Sequence, residues 1–207
     1  MRKMLLTAFA IAALGAAPAV AQNLLANPGF ELPTTTTTAM GNWFRFGSGA
    51  NGSAFDSTTM PHAGQGHIGL EIFGANQFAG VFQNLGIPVF PGQTVTLSGF
   101  AKSASGAPFA ATQEIKLEWQ GTPNPPQNRL DDLTLGSDYE QFSHVGVAPA
   151  GTTGLVVTYA ISTFGGGQGD SLVYLDDMSV TIVPEPATVA LMGLGGLAVV
   201  AMRRRRK

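Results

Sequence analysis

Apolar and polar residues alternate in short runs through the middle of this 207-residue chain. The clearest run sets Ile115, Leu117 and Trp119 between Glu114, Lys116 and Glu118. Ile68, Leu70 and Ile72 alternate with small or polar neighbours, and Ala79, Val81, Gln83 and Leu85 do so less cleanly. Val95, Leu97 and Gly99 follow, then residues 141–147, the set Leu155, Val157, Tyr159 and Ile161, and a long run at 172–183. A two-residue period sends successive side chains to opposite faces of an extended strand. Clusters such as Pro61-His62-Ala63-Gly64 and Gly165-Gly166-Gly167 separate the runs as turns. No stretch between them has the period of an amphipathic helix. The pattern predicts an all-β fold, an antiparallel jelly-roll β-sandwich of about eight or nine strands.

Two segments break the alternation. Arg2 and Lys3 precede an apolar run from Met4 to about Ala17, and Ala19-Val20-Ala21 supplies small residues at a cleavage site. This is the layout of a secretory signal peptide over residues 1–21. At the other end Val183-Pro184-Glu185-Pro186 leads into an uncharged run, 187–202, followed by Arg203, Arg204, Arg205, Arg206 and Lys207. Pro184 and Pro186 stop a strand and hold a short extended linker. At about 1.5 Å per residue the uncharged run reaches roughly 24 Å as a helix, so spanning a ~30 Å hydrocarbon core needs thinning or snorkelling of the arginines. By the positive-inside rule the basic residues 203–207 stay in the cytoplasm, which places residues 22–183 outside. A plain C-terminal transmembrane anchor would need no more than this.

With the ends set aside, the charge picture changes. Between residues 22 and 186 stand four cations, Arg45, Lys102, Lys116 and Arg129, against all thirteen acids, a net charge of −9 where the whole chain has −2. Nucleic-acid binding needs clustered cations, so this surface excludes it and suits divalent cations or neutral sugars. Cysteine is absent, so no disulfide framework supports the fold.

Candidate chemistry is sparse. Thr34 to Thr38 form an unbroken threonine run that reads as a solvated loop, with hydroxyls open to glycosylation. Sugar binding needs an exposed aromatic platform flanked by amides or acids. Trp43, Phe44 and Phe46 form one candidate and Trp119 with Gln120 and Asn124 another. Trp119 also continues the Ile115–Leu117 parity, and both tryptophans have a core reading. No Gly-x-Ser-x-Gly, His-Glu-x-x-His or phosphate-loop motif occurs, and His62, His67 and His144 lack ligand spacing. Asp131-Asp132 and Asp138 with Glu140 could supply a carboxylate pair for glycoside hydrolysis, but they sit in a stretch where acids are ordinarily solvated. The chain reads as non-catalytic.

The tripartite tail resembles the PEP-CTERM sorting signal of exported bacterial proteins, with Pro184-Glu185-Pro186 as the motif, 187–202 as the membrane helix and 203–207 as the basic end. That resemblance implies transient anchoring in the inner membrane, removal of the tail by an exosortase, and delivery to the cell surface or extracellular matrix.

A second resemblance spans the body. Asn23-Leu24-Leu25-Ala26-Asn27-Pro28-Gly29-Phe30-Glu31 opens it, and His62-Ala63-Gly64-Gln65-Gly66 leads into a strand. Pro91-Gly92-Gln93-Thr94-Val95-Thr96-Leu97-Ser98 begins another, and Val173-Tyr174-Leu175-Asp176-Asp177-Met178-Ser179-Val180 closes it. Together these resemble the galactose-binding-like jelly roll of carbohydrate-binding modules. The resemblance implies extracellular polysaccharide as a partner and one structural Ca2+ near the termini, held by Glu31 and Asp176. Residue parity offers a local argument. Leu172, Tyr174, Asp176, Met178, Val180 and Ile182 share one side of the last strand, which would put the Asp176 carboxylate on the apolar face, where a charge needs a partner or a metal. Asp177 would point outward unless a bulge exchanged the two. Hydrogen bonds from loop amides to Asp176 would serve without a metal.

Overall fold

The structure, a computed structural model, describes residues 22–34, 42–104, 111–122, 135–164 and 170–183, together with the backbone of 128–131. The regions assigned above to the signal peptide and to the sorting tail with its membrane helix, and Thr35 to Thr38, lie outside the described residues. Among the described residues no helix is long and apolar enough to cross a membrane.

Among the described residues ten strands form two five-stranded sheets. They are β1 (Trp43–Gly47), β2 (Gly52–Ser57), β3 (His67–Ile72), β4 (Phe78–Asn84), β5 (Thr94–Ser103), β6 (Thr112–Gln120), β7 (Asn128–Asp131), β8 (Glu140–Val147), β9 (Gly154–Ser162) and β10 (Ser171–Val183). The first sheet has the order β1-β4-β9-β6-β7 and the second β2-β3-β10-β5-β8. The sandwich is the expected one, with one strand more than the alternation suggests. The extra elements are short: β7 has four residues inside a stretch read as loop, and its pairing with β6, Ile115 opposite Leu130, is what makes it a strand.

The core lies between the sheets and follows the two-residue period. In β6 Ile115, Leu117 and Trp119 are buried while Glu118 and Gln120 are exposed. In the neighbouring β9 Leu155, Val157, Tyr159 and Ile161 are fully buried, and from the facing sheet Ile68, Leu70, Ile72, Val95 and Leu97 close the layer. Burying such side chains is worth roughly 1.5–3 kcal/mol each, which identifies this interior as the main source of stability in a chain without disulfides.

The parity of β10 differs from the sequence reading. Val173 and Leu175 face the core, and so do Met178 and Val180, so the alternation slips by one residue between them. Asp177, at φ 47°, is the extra residue of a bulge. The slip falls where β10 changes neighbour. Through Leu175 it pairs with β3; beyond the bulge Met178 N–H donates to Pro28 O and Leu24 N–H to Val180 O, so the N-terminal segment takes β3's place. That segment is fixed by Phe30, whose ring lies 4.9 Å from that of Trp43, and by Trp43 Nε1, which donates to Asn27 O.

Candidate functional site

Two places concentrate chemistry. At the bulge, three carboxylates gather around Gly29. A Cβ placed on Gly29 would stand 3.3 Å from Asp177 Oδ1, 3.6 Å from Glu31 Oε1 and 3.8 Å from Asp176 Oδ1. Asp176 is fully buried, yet on the side away from the sandwich core, beneath the 60–66 loop. Its Oδ2 accepts from the backbone N–H groups of His62 (2.8 Å) and Ala63 (3.2 Å), and its Oδ1 from Asp177 N–H. Both Glu31 oxygens accept from Gln65 N–H, and Asp177 Oδ2 is 2.7 Å from His62 Nδ1. The His62 ring is in turn stacked on Phe100.

Burial pushes the Asp176 carboxyl above its ordinary pKa, and the neighbouring Asp177 charge adds to the shift, while the amide hydrogen bonds oppose it. Asp176 is thus not on the apolar face where residue parity would put it. Its burial comes from a loop laid over the outside of the second sheet, and Asp177 joins the same cluster. Asp176 is bonded by loop amides, the arrangement that needs no metal, and it lies near Glu31 and Asp177 around Gly29. The oxygens are hard donors of the kind Ca2+ takes. Among the described residues, however, no three His, Asp or Glu side chains already close on one metal position.

The second place is the outer face of the first sheet. Trp43 and Trp119, proposed as sugar platforms, are 2% and 3% exposed and belong to the core, so neither offers a ring face. Phe44 faces outward and is half-buried, and it has company that sequence separation concealed. Its ring lies 4.7 Å from Phe82, Phe82 lies 6.0 Å from Phe46, and Phe46 lies 6.2 Å from Phe78. Pairing sets the rows: Phe44 opposite Phe82, then Thr158, then Lys116; Phe46 opposite Gly80, then Ala160, then Glu114.

A phenylalanine wall on β1 and β4 thus stands about 10 Å, two strand spacings, from a charged wall on β6. Between them on β9 stand the small residues Ala160 and Ser162, each 6% exposed. Gly80 belongs with these because a Cβ there would meet Phe46 Cζ at 2.4 Å. On the charged wall Glu118 accepts from Thr158 Oγ1 at 2.7 Å, and Lys116 pairs with Glu114. Asn124 and Asp132 lie outside the described residues. Asp131 takes the register position opposite Glu114, while Asp138 and Glu140 flank the start of β8 in the other sheet.

Two antiparallel five-stranded sheets in this order form a jelly-roll β-sandwich, and comparison with solved structures agrees on that fold. The chain is similar to the CBM22-1 xylan-binding domain from Paenibacillus barcinonensis Xyn10C at 16% identity, covering 82% of this chain and 99% of that one with a TM-score of 0.57. It is similar to TmCBM61, solved in complex with β-1,4-galactotriose, at 14% identity and a TM-score of 0.54, covering 77% and 97%. It also resembles the enzymatically active domain of bacteriophage CBA120 tailspike protein 4, at 15% identity and a TM-score of 0.57, covering 78% of this chain. The likeness spans only about a fifth, 21%, of that protein's length. At these identities the likeness is one of fold. No curated protein matches the chain. Residues 183–206 match the PEP-CTERM protein-sorting motif, and the chain carries that motif beyond its β-sandwich.

Proposed function

We propose that this chain is an exported, non-catalytic surface or matrix protein whose β-sandwich binds extracellular polysaccharide on the outer face of the β1-β4-β9-β6-β7 sheet. The tail anchors it in the inner membrane, C-terminus in the cytoplasm, until an exosortase acts at the Pro184-Glu185-Pro186 motif. The observation that carries the binding reading is the phenylalanine wall facing a charged wall across small side chains. Half-exposed aromatic rings lower their free energy by covering apolar surface, and the C–H face of a sugar ring fits them. Glu114, Lys116, Glu118 and Thr158 supply charged and neutral hydrogen-bonding groups for hydroxyls on the opposite side. The xylan-binding and galactotriose-bound relatives support a neutral polysaccharide as the ligand class.

Calcium, in this reading, would be held by Glu31, Asp176 and Asp177, and would supply only charge compensation, tying the N-terminal segment to β10. The support is the donor set: three carboxylates around Gly29, one of them buried and destabilised as an anion.

Affinity electrophoresis through gels containing the host exopolysaccharide tests the binding face. Retardation of the wild type that disappears in Phe44→Ala/Phe82→Ala, with unchanged folding, is expected. Equal retardation of both proteins would remove the face from the account, and no retardation of either would leave a structural or adhesive module without a sugar ligand.

A further inference from the structure

The end of the sandwich from which β10 leaves toward the tail is free of charge and unusually apolar. β5 and β10 run antiparallel, since Ala104, just past the end of β5, donates to Leu172 O near the start of β10. The start of β5 therefore lies beside the end of β10. Thr94 and Thr96 at that start pair with Val147 and Val145 of β8. The 85–93 loop reaches the same pole, as Gly92 N–H donates to Ala148 O and Val89 N–H to Thr153 O. Exposed here are Ile87 at 39%, Phe90 at 61%, Val145 at 56%, Val147 at 58% and Val183 at 49%.

Residues 85–94, 119–122, 145–155 and 180–183 contain no Asp, Glu, Lys or Arg, in a body that is strongly acidic overall. Asp138, Glu140 and Asp170 sit toward the opposite pole, as Ser103 N–H bonds Gly136 O and Gly74 N–H bonds Asp170. Exposed apolar patches of this kind ordinarily mark a contact surface.

The chain's own termini identify the contact. The described part begins at the same pole, with Leu24 N–H on Val180 O and Asn23 on Met178 O and Val180 N–H. Both apolar segments, 4–17 and 187–202, therefore connect to this one pole. From Val183 to Ala187 the chain can extend at most roughly 14 Å. The interfacial zone of a bilayer is itself roughly 5–8 Å deep on each side. A pole tethered that closely is within reach of the headgroups, and Phe, Ile, Val and Pro without charge suit the boundary between headgroups and acyl chains.

We infer that this pole, with Phe90 and Ile87 at its tip and Val145 and Val147 beside them, is a membrane-resting surface that holds the sandwich against the outer side of the bilayer until the tail is removed. This rests on the reading of 187–202 as a membrane helix. Contact with lipid would keep the Pro184-Glu185-Pro186 linker at the bilayer surface, where a membrane-embedded protease must meet it.

The absence of cysteine makes the test direct. Full-length protein with single cysteines at Phe90, Val147, Asp138 or Leu191 is fluorescently labelled and reconstituted into phosphatidylethanolamine–phosphatidylglycerol vesicles with brominated acyl chains. Severalfold stronger quenching at positions 90 and 147 than at 138, abolished at 147 by adding Ile87→Glu/Phe90→Glu, is the expected result. Strong quenching at 191 with 90 and 147 no different from 138 would overturn the inference while keeping the membrane helix. Absence of quenching at 191 would overturn both.

Discussion

Asp176 is the residue on which the calcium reading turns. Its carboxyl is held above the usual range by burial, so without metal the folded state holds that proton more tightly than the unfolded chain does. Stability in chelator should then decline as pH rises from the ordinary carboxylate range through the raised pKa, because the folded state binds the extra proton. Asp176→Asn removes the charge and keeps an oxygen for the His62 and Ala63 amides. In EDTA near neutral pH its Tm should equal or exceed the wild type's. Calcium at a hundredfold excess over Kd should stabilise the wild type by about 2.7 kcal/mol and the variant far less. A wild-type Tm indifferent to calcium would show that the cluster is held by amides alone.

His67 poses the opposite case. Fully buried beside Tyr174, with no partner for either ring nitrogen among the described residues, it has its pKa lowered to about 4 by burial and then by Lys102. A histidine neutral in the fold but chargeable when unfolded costs stability as pH falls from about 6.5 toward 4, by at most roughly 3 kcal/mol. Denaturant titrations across that range should show the wild type losing stability relative to His67→Phe as pH falls, because the variant has no imidazole to protonate on unfolding. Parallel curves would contradict the assignment.

At the scale of elements, β6 and β10 show what the sequence made legible. β6 alternates without interruption, each outward charge beside an inward apolar residue, so its faces could be read directly. β10 carries a bulge created by a change of partner, which no residue within the strand announces. The parity of Asp176 was therefore read on the wrong side while its membership of a carboxylate cluster was legible from its motif. The phenylalanine wall was half hidden for a related reason. Phe44 and Phe46 are visible as neighbours, but Phe78 and Phe82 join them only through pairing of β1 with β4. Trp119 obeyed its parity and is core.

These placements separate two kinds of variant. Trp119→Ala should cost about 3–5 kcal/mol of stability, as large core truncations do. Phe44→Ala/Phe82→Ala, on a half-exposed face, should leave a folded protein with a near-native Tm and no polysaccharide retention. If Trp119→Phe, which preserves the core, also abolished retention, the binding face would have to lie elsewhere.

For the molecule as a whole, the motif at 183–206 and the β-sandwich divide the work between an address and a body. The body is acidic and the cations collect at the two ends, Arg2 and Lys3 at one and residues 203–207 at the other, as expected of segments that stay on the cytoplasmic side. If the apolar pole rests on lipid while the tail is attached, removal of the tail leaves it exposed. Processed protein at the cell surface should therefore adsorb to apolar surfaces more strongly than an Ile87→Glu/Phe90→Glu variant, as hydrophobic-interaction chromatography would show.

The claim on which the account depends is that the tail is a removable address. Intact mass of protein recovered from the surface or medium of its native host tests it, beside a variant with Pro184, Glu185 and Pro186 changed to alanine. A removable tail should give a wild-type mass beginning near Gln22 and ending near the Pro184-Glu185-Pro186 motif, with the variant held in the membrane through Lys207. A wild-type mass that runs through Lys207 would contradict it and leave a permanently anchored β-sandwich.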